Sequence, residues 1–241
     1  MEQEAFMIRE YEVHTYDTDV SRHLSFVALS NYLQDAAATH AIRLQLGYTH
    51  LQEKQLAWVL RQMRVETKGR AEWGDTVRIE TWPRRPDRLF AHRDFRVYNG
   101  KDELIALAST AWLLIDTGKR KHIMMDPAMF RHYRFRDETV FPEGMPSLPR
   151  PHDGEEAARR EVAFSDLDMN GHVNNVSYIR WIMDAWEKSD GKTYPGSFNI
   201  VYGHEVFGGA RVILRKEQVK EGVLFTVGTE EAKRAVTALL T

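Results

Sequence analysis

Ten residues, Asp166-Leu-Asp-Met-Asn-Gly-His-Val-Asn-Asn175, hold two carboxylates, three carboxamides and one imidazole. Polar groups packed so densely cost free energy unless they are solvated or bonded to one another. The apolar residues that follow, Val176, Ile179, Met183 and Trp186, are spaced as one face of a helix that begins where the stretch ends. A helix start presents free N–H groups and the positive end of a dipole, so it can polarise a carbonyl and hold an oxyanion. A carboxylate, an amide and an imidazole beside it can orient and activate a water. Together they suit hydrolysis of an acyl compound without a covalent serine or cysteine. The chain has no cysteine at all, which also removes disulfides and thiolate zinc sites.

Three other readings compete. The plainest is a helix cap, with Asn174 or Asn175 capping and Asp166 closing an Asx-turn. It leaves His172 beside Asn170 and Asp168 unexplained. Asp166, Asp168, Asn170 and Gly171 also match positions 1, 3, 5 and 6 of a calcium loop. Position 12 should then be a bidentate Glu, but it is Ser177, and Glu161 to Phe164 before the loop reads as a strand. Asn175-Val-Ser177 matches a glycosylation sequon, accidental in a chain whose start, MEQEAFMIRE, has no secretory pattern.

The loop and helix have a counterpart earlier in the chain. YDTDVSRHLSFVALSNYLQDAA lies over FSDLDMNGHVNNVSYIRWIMDAW at a constant offset of 149, without a gap. Asp17 falls on Asp166, Asp19 on Asp168, His23 on His172, Val27 on Val176, Asp35 on Asp184 and Ala36 on Ala185. One unit is used twice. A strand is expected before each loop, over Phe6 to Tyr16 and Ala158 to Phe164. Phe26, Leu29, Leu33, Ala36, Ala37, Ala41 and Leu44 recur with helical spacing in the first copy, ended by Gly47; Gly191 lies beyond the second helix. Strands are then expected over Leu56 to Val65, Thr76 to Trp82, Leu89 to Tyr98 and Leu104 to Ile115. In the second copy they are expected over Ser197 to Phe207, Arg211 to Arg215, Val223 to Gly228 and Arg234 to Leu239. Such an order is α+β with mostly antiparallel sheet, each helix burying its apolar stripe on the strands. Four of the eight prolines fall between Pro142 and Pro151, where the missing N–H and fixed φ exclude a helix interior or central strand. The expected division is therefore a domain over 1–137, a Pro-rich linker over 138–157 and a second domain over 158–241.

Composition narrows the classes. Thirty-three Lys+Arg against 35 Asp+Glu give a net charge of −2, against a general nucleic-acid binder. A hydrophobic fraction of 43% supports a real core. No apolar run approaches the roughly 18 residues of a membrane span. The histidines show no metal-ligand spacing, so no metal is expected, and nothing calls for a cofactor. The expectation is a soluble cytoplasmic protein.

DMNGHVNNVSYIRW resembles the active-site segment of the acyl-acyl-carrier-protein (acyl-ACP) thioesterases of plants and bacteria, with its D-x-N-x-H-V-N-N-x-x-Y-[IL] motif. In the first half, Asn31-Tyr-Leu-Gln-Asp-Ala-Ala, Gly47-Tyr48, Trp58-Val-Leu-Arg-Gln-Met63 and Trp73-Gly-Asp-Thr-Val-Arg-Ile-Glu-Thr-Trp82 resemble the family's first repeat. The resemblance implies two tandem hotdog domains, each a long helix wrapped by an antiparallel sheet. It implies hydrolysis of acyl-ACP to free fatty acid, ending fatty acid synthesis. The family's Asp, Asn and His fall on Asp168, Asn170 and His172, and its Glu, in a Y-x-x-E context on the strand after the helix, on Glu205. Plant members carry a Cys directly after that Glu; here it is Val206. His204 should face the other side of the strand. Whether Asp168 or Glu205 is the base is open at this level, with a backbone N–H near Val173 expected to help hold the oxyanion. The first repeat keeps Asp19 and His23 but has Ser21 for the Asn, with Glu66 expected near the Glu205 equivalent; the resemblance implies that it is the non-catalytic half.

That half is expected to take the acyl chain, lined by Phe26, Leu29, Leu33, Trp58 and Met63. Each buried CH₂ is worth roughly 0.8 kcal/mol, so pocket depth selects chain length. The implied partner is acyl carrier protein, small and acidic, steered by Arg84, Arg85 and Arg88 or by Lys119, Arg120 and Lys121. A homodimer is left open. The alternatives are an acyl-CoA thioesterase, a hotdog hydratase, and a non-catalytic acyl-binding regulator.

Overall fold

The computed structural model describes residues 5–130, 133–152, 154–190, 192–231 and 234–241. Gly191, the expected helix stop, and the first four residues lie outside these. The chain divides into two compact units, 1–24 with 28–145, and 25–27 with 146–241.

In the first unit, β1 (Met7–Glu12) leads through a 3₁₀ turn at Thr15–Asp17 to helix α1 (Phe26–Arg43) and the short α2 (Tyr48–Gln52). Then come β2 (Leu56–Thr67), β3 (Thr76–Pro83), β4 (Phe90–Tyr98), β5 (Leu104–Asp116) and β6 (Lys121–His122). The strands order β1-β3-β4-β5-β2, antiparallel throughout, with β6 beside β5. Helix α1 buries Leu29, Leu33, Ala36 and His40, three or four residues apart, as an amphipathic helix on a sheet must, and Leu44 just past its end continues the stripe. It is tied to the strands by Arg93 of β4, which donates to His40 Nδ1 at 3.0 Å and Thr81 Oγ1 at 3.1 Å, and by Tyr11 of β1, which donates to Asp35 at 2.6 Å. Burial lowers the Arg93 guanidinium to about 10.

The second unit runs β7 (Glu155–Glu161), a 3₁₀ turn at Phe164–Asp166, helix α3 (Asn175–Asp190), β8 (Ser197–Tyr202), β9 (Arg211–Val219), β10 (Gly222–Thr229) and β11 (Arg234–Leu240). Its antiparallel order is β7-β9-β10-β11-β8, the same as β1-β3-β4-β5-β2. Val176, Ile179, Ile182 and Trp186 on α3, and Phe198, Ile200, Leu214, Phe225 and Val236 on the strands, are buried. Among the described residues no helix is long and apolar enough to cross a membrane.

Several expected boundaries move. Both leading strands stop short of Tyr16 and Phe164, because each chain turns into a 3₁₀ segment closed by an aspartate, Asp17 or Asp166. Residues 138–145 are not a free linker but belong to the first unit. Glu138 accepts from Trp82 Nε1 at 2.9 Å, the Val140 N–H donates to Asp94 at 3.2 Å, and Arg64 donates to the Gly144 carbonyl at 2.9 Å. Strand β7 begins at Glu155, inside the expected linker; Pro142 to Pro151 has no helix or strand.

Candidate active site

Asp166, 3% exposed, anchors the polar loop. It pairs with Arg180 and accepts from the Ala163 N–H (2.8 Å) and Trp181 Nε1 (3.3 Å). Its carbonyl accepts from the Asn174 N–H at 2.9 Å and the Ser177 hydroxyl at 3.0 Å. A buried charge so fully bonded organises the fold rather than reacting. Asn174 caps α3, its side chain accepting the Val176 N–H at 2.9 Å. The capping reading is thus true of Asn174 and covers only that part of the loop.

The next turn is built on Asp168. One carboxylate oxygen accepts the N–H groups of Asn170 (2.8 Å) and His172 (3.1 Å); the other is 3.4 Å from the Asn170 side-chain nitrogen. The Asp168 N–H donates to the His172 carbonyl at 2.8 Å, closing the loop. Gly171 sits at φ +77°, a left-handed conformation that glycine adopts without a Cβ penalty. The sequence Asp-x-Asn-Gly therefore folds this turn by itself.

Glu205 comes from elsewhere. Strand β8 ends at Tyr202, so Glu205 and His204 lie beyond it, not on the strand as expected. The break is at Gly203, where a Cβ would meet the Arg234 carbonyl at 3.0 Å, and both Gly203 (2.7 Å) and His204 (3.4 Å) donate to the Ala235 carbonyl. The bend carries Glu205 to His172, with Oε2 3.9 Å from Nε2. The two side chains are 40% and 30% exposed, open to a reactant and to solvent. The His172 ring stands edge-on to Phe207 at 4.9 Å. Val206, where plant relatives of the motif carry Cys, is 2% exposed and accepts the Val173 N–H at 2.8 Å. The Val173 donor is thereby consumed, a correction to its expected part in the oxyanion site. The Asn175 N–H, first of α3, has no acceptor among the described residues.

Thus Asp168, Asn170 and His172 share one loop, and Glu205 meets it at His172. Residues the sequence reading passed over are Phe207, beside His172, and Tyr178, buried on α3 with its ring 6.2 Å from Tyr202. Tyr178 stands within the motif, which was the available signal; nothing local marked Phe207.

The expected acyl-lining residues separate. Leu29, Leu33 and Met63 are buried in the first unit. Trp58 donates to the Leu46 carbonyl at 3.1 Å and packs with Leu51, Leu114, Met125 and Phe130. Phe26 departs from expectation, because residues 25–27 cluster with the second unit and its ring lies 4.8 Å from Phe198 and 5.8 Å from Tyr194. Of the two basic clusters, Arg84 is paired inward with fully buried Asp94 at 3.3 Å, and Lys119 with Asp116 at 3.3 Å.

The chain is a large antiparallel sheet with few helices, of the hotdog type, and carries an acid–amide–imidazole loop at the start of α3. Residues 4–133 match the acyl-ACP thioesterase N-terminal domain and residues 150–234 the C-terminal domain; the chain belongs to the acyl-ACP thioesterase family. It is 26% identical over 222 residues to the oleoyl-acyl carrier protein thioesterase, chloroplastic, of Coriandrum sativum, covering 84% of this chain and 56% of the relative. The chain spans about half the length of the curated relatives it matches, 56%, 48% and 54% for the first three. The acyl-ACP thioesterase of Bacteroides thetaiotaomicron shares the fold with a TM-score of 0.88 at 22% identity, covering 100% of this chain and 98% of that one. The 12:0-ACP thioesterase of Umbellularia californica does so with a TM-score of 0.86 at 21% identity, covering 98% and 96%.

Proposed function

We propose that this chain hydrolyses acyl-ACP thioesters, releasing a free fatty acid and the carrier thiol, with Glu205 as general base. The approach of Glu205 to His172 supports this most directly, because it leaves one exposed carboxylate beside an imidazole. Asp168 is assigned to holding the loop, since its oxygens already receive two backbone N–H groups and a side-chain amide. Glu205 takes a proton from water as the water oxygen bonds to the thioester carbon. The Asn175 N–H donates to the resulting oxyanion. Collapse breaks the carbon–sulfur bond, and the proton passes through Glu205 or His172 to the leaving sulfur.

Each unit is taken as one hotdog, the first ending near Met145 rather than residue 137 and receiving the acyl chain around Leu29, Leu33 and Met63. The identical strand orders and the matched loop bonds support reading the two units as copies of one fold. Acyl carrier protein is the proposed partner and the cytoplasm the proposed setting. The test is turnover of acyl-ACP and acyl-CoA at equal concentrations by wild type, Glu205→Ala and Asp168→Ala. Carrier preference, and loss of turnover in Glu205→Ala, are expected. Unchanged turnover in both variants overturns the site; a strong CoA preference overturns the carrier assignment.

A further inference from the structure

Tyr178 lies on α3, one turn beyond Asn175, and is 3% exposed. Its ring is held edge-on between Trp181 at 5.2 Å and Tyr202 at 6.2 Å. Tyr202 is itself fixed, its hydroxyl donating to the Asn175 carbonyl at 3.2 Å, and it stands three residues before Glu205. The Tyr178 ring is thereby locked between the helix start and the bend that carries the proposed base.

Its hydroxyl has no hydrogen-bond partner among the described residues. Its oxygen is not one of the enclosed polar atoms that lack a partner, so water can reach it at the edge of an otherwise buried ring. Burial, and secondarily the charge of Glu205 nearby, push its pKa well above the ordinary tyrosine value. The group keeps its proton and stays a donor. An O–H that keeps its proton, is open to water and is packed on Tyr202 three residues before Glu205 suits a water held between the two, donating to the carboxylate and accepting from the phenol.

We propose that Tyr178 holds the attacking water, donating its O–H to the water oxygen while the water donates one proton to Glu205. As the water oxygen bonds to the acyl carbon, that proton passes to Glu205 and Tyr178 retains its own. The assignment rests on the thioesterase reading above and adds a residue to it.

The test is Tyr178→Phe, which keeps the ring and its packing and removes only the hydroxyl. With acyl-ACP, kcat is expected to fall about 10- to 100-fold while KM stays within about twofold and Tm is unchanged. Hydroxylamine, added as a competing nucleophile that does not need the water's berth, should yield a higher ratio of enzyme-formed hydroxamate to acid in Tyr178→Phe than in wild type. A kcat within about twofold of wild type, an unchanged ratio, or a kcat loss that merely follows a fall in Tm overturns the proposal. A wild-type protein that hydrolyses no acyl thioester overturns the thioesterase reading itself, so the two failures are distinct.

Discussion

In the first unit the Asp19 N–H donates to the His23 carbonyl at 2.9 Å; in the second the Asp168 N–H donates to the His172 carbonyl at 2.8 Å. Asp19 accepts the Ser21 N–H at 2.9 Å as Asp168 accepts that of Asn170. The residue before His is left-handed in both, Arg22 at φ +64° and Gly171 at φ +77°. Beyond the loop, the Leu24 N–H donates to the Ala71 carbonyl and the Val173 N–H to the Val206 carbonyl, each at 2.8 Å. The same register that places Glu205 in the second unit therefore places Arg70, not the expected Glu66, in the first. Glu66 pairs instead with Arg64. Arg70 pairs with Asp19 and donates to the Ser21 hydroxyl at 3.1 Å. The aspartate and histidine thus belong to the architecture of the turn, common to both copies. What differs is the residue supplied from the far side, an acid in one copy and a guanidinium that neutralises the loop in the other.

The sharpest way to break this comparison is Glu205→Gln, expected to lower kcat by about 10²–10⁴-fold, the range for losing a general base, with Tm unchanged. Arg70→Ala, at the matching position, should leave kcat within about threefold. Equal losses in steady-state hydrolysis would show that the copies are not divided in this way. Next in size is the anchor. Asp166→Ala removes the partner of Arg180 and the acceptor for Trp181, and should destabilise by about 2–3 kcal/mol in urea unfolding. Asp17→Ala should lose about 1 kcal/mol, since its loop has no arginine there and Tyr32 stands in place of Trp181.

The pH dependence comes third. Burial raises the Asp19 carboxyl, but hydrogen bonds from Ser21 and Arg70 outweigh it, and the folded pKa lies below the ordinary Asp value. Asp19 therefore stabilises the fold above that value, and the contribution disappears as pH falls through the depressed one. Tm measured from neutrality down to about pH 2 should drop less steeply in Asp19→Asn than in wild type. An equally steep drop would remove Asp19 from the acid transition. The smallest effects concern the left-handed position. Gly171→Ala should destabilise by about 1 kcal/mol, whereas Arg22→Gly should stay within about 0.5 kcal/mol, relief of strain being offset by a looser unfolded chain.

The sequence was most legible where the physics is local. The α1 stripe Leu29, Leu33 and Ala36 follows helical period, and α1 ends at Arg43, ahead of Gly47. The strands from Leu56 onward lie close to their expected places because β-branched and aromatic runs ended by turn residues are local signals. Errors gathered where a long-range contact overrides composition. The proline-rich arm reads as linker, yet Arg64 stacks over Phe141 at 3.9 Å and holds it on the first unit. Glu205 reads as a strand residue, yet the chain leaves the ladder after Tyr202, where the Gly203 and His204 N–H groups both donate to the Ala235 carbonyl.

By itself, the sequence determined the turn from Asp168 to His172, a cap at Asn174 or Asn175 and the duplication of the loop, because each depends on bonds between residues a few positions apart. Only the tertiary structure decided which distant residue faces that turn. Glu205 and Arg70 are set by strand register and by a bend some thirty or more residues from the loop. Hydrogen-bond pairing across a sheet is not written in the local pattern of either strand.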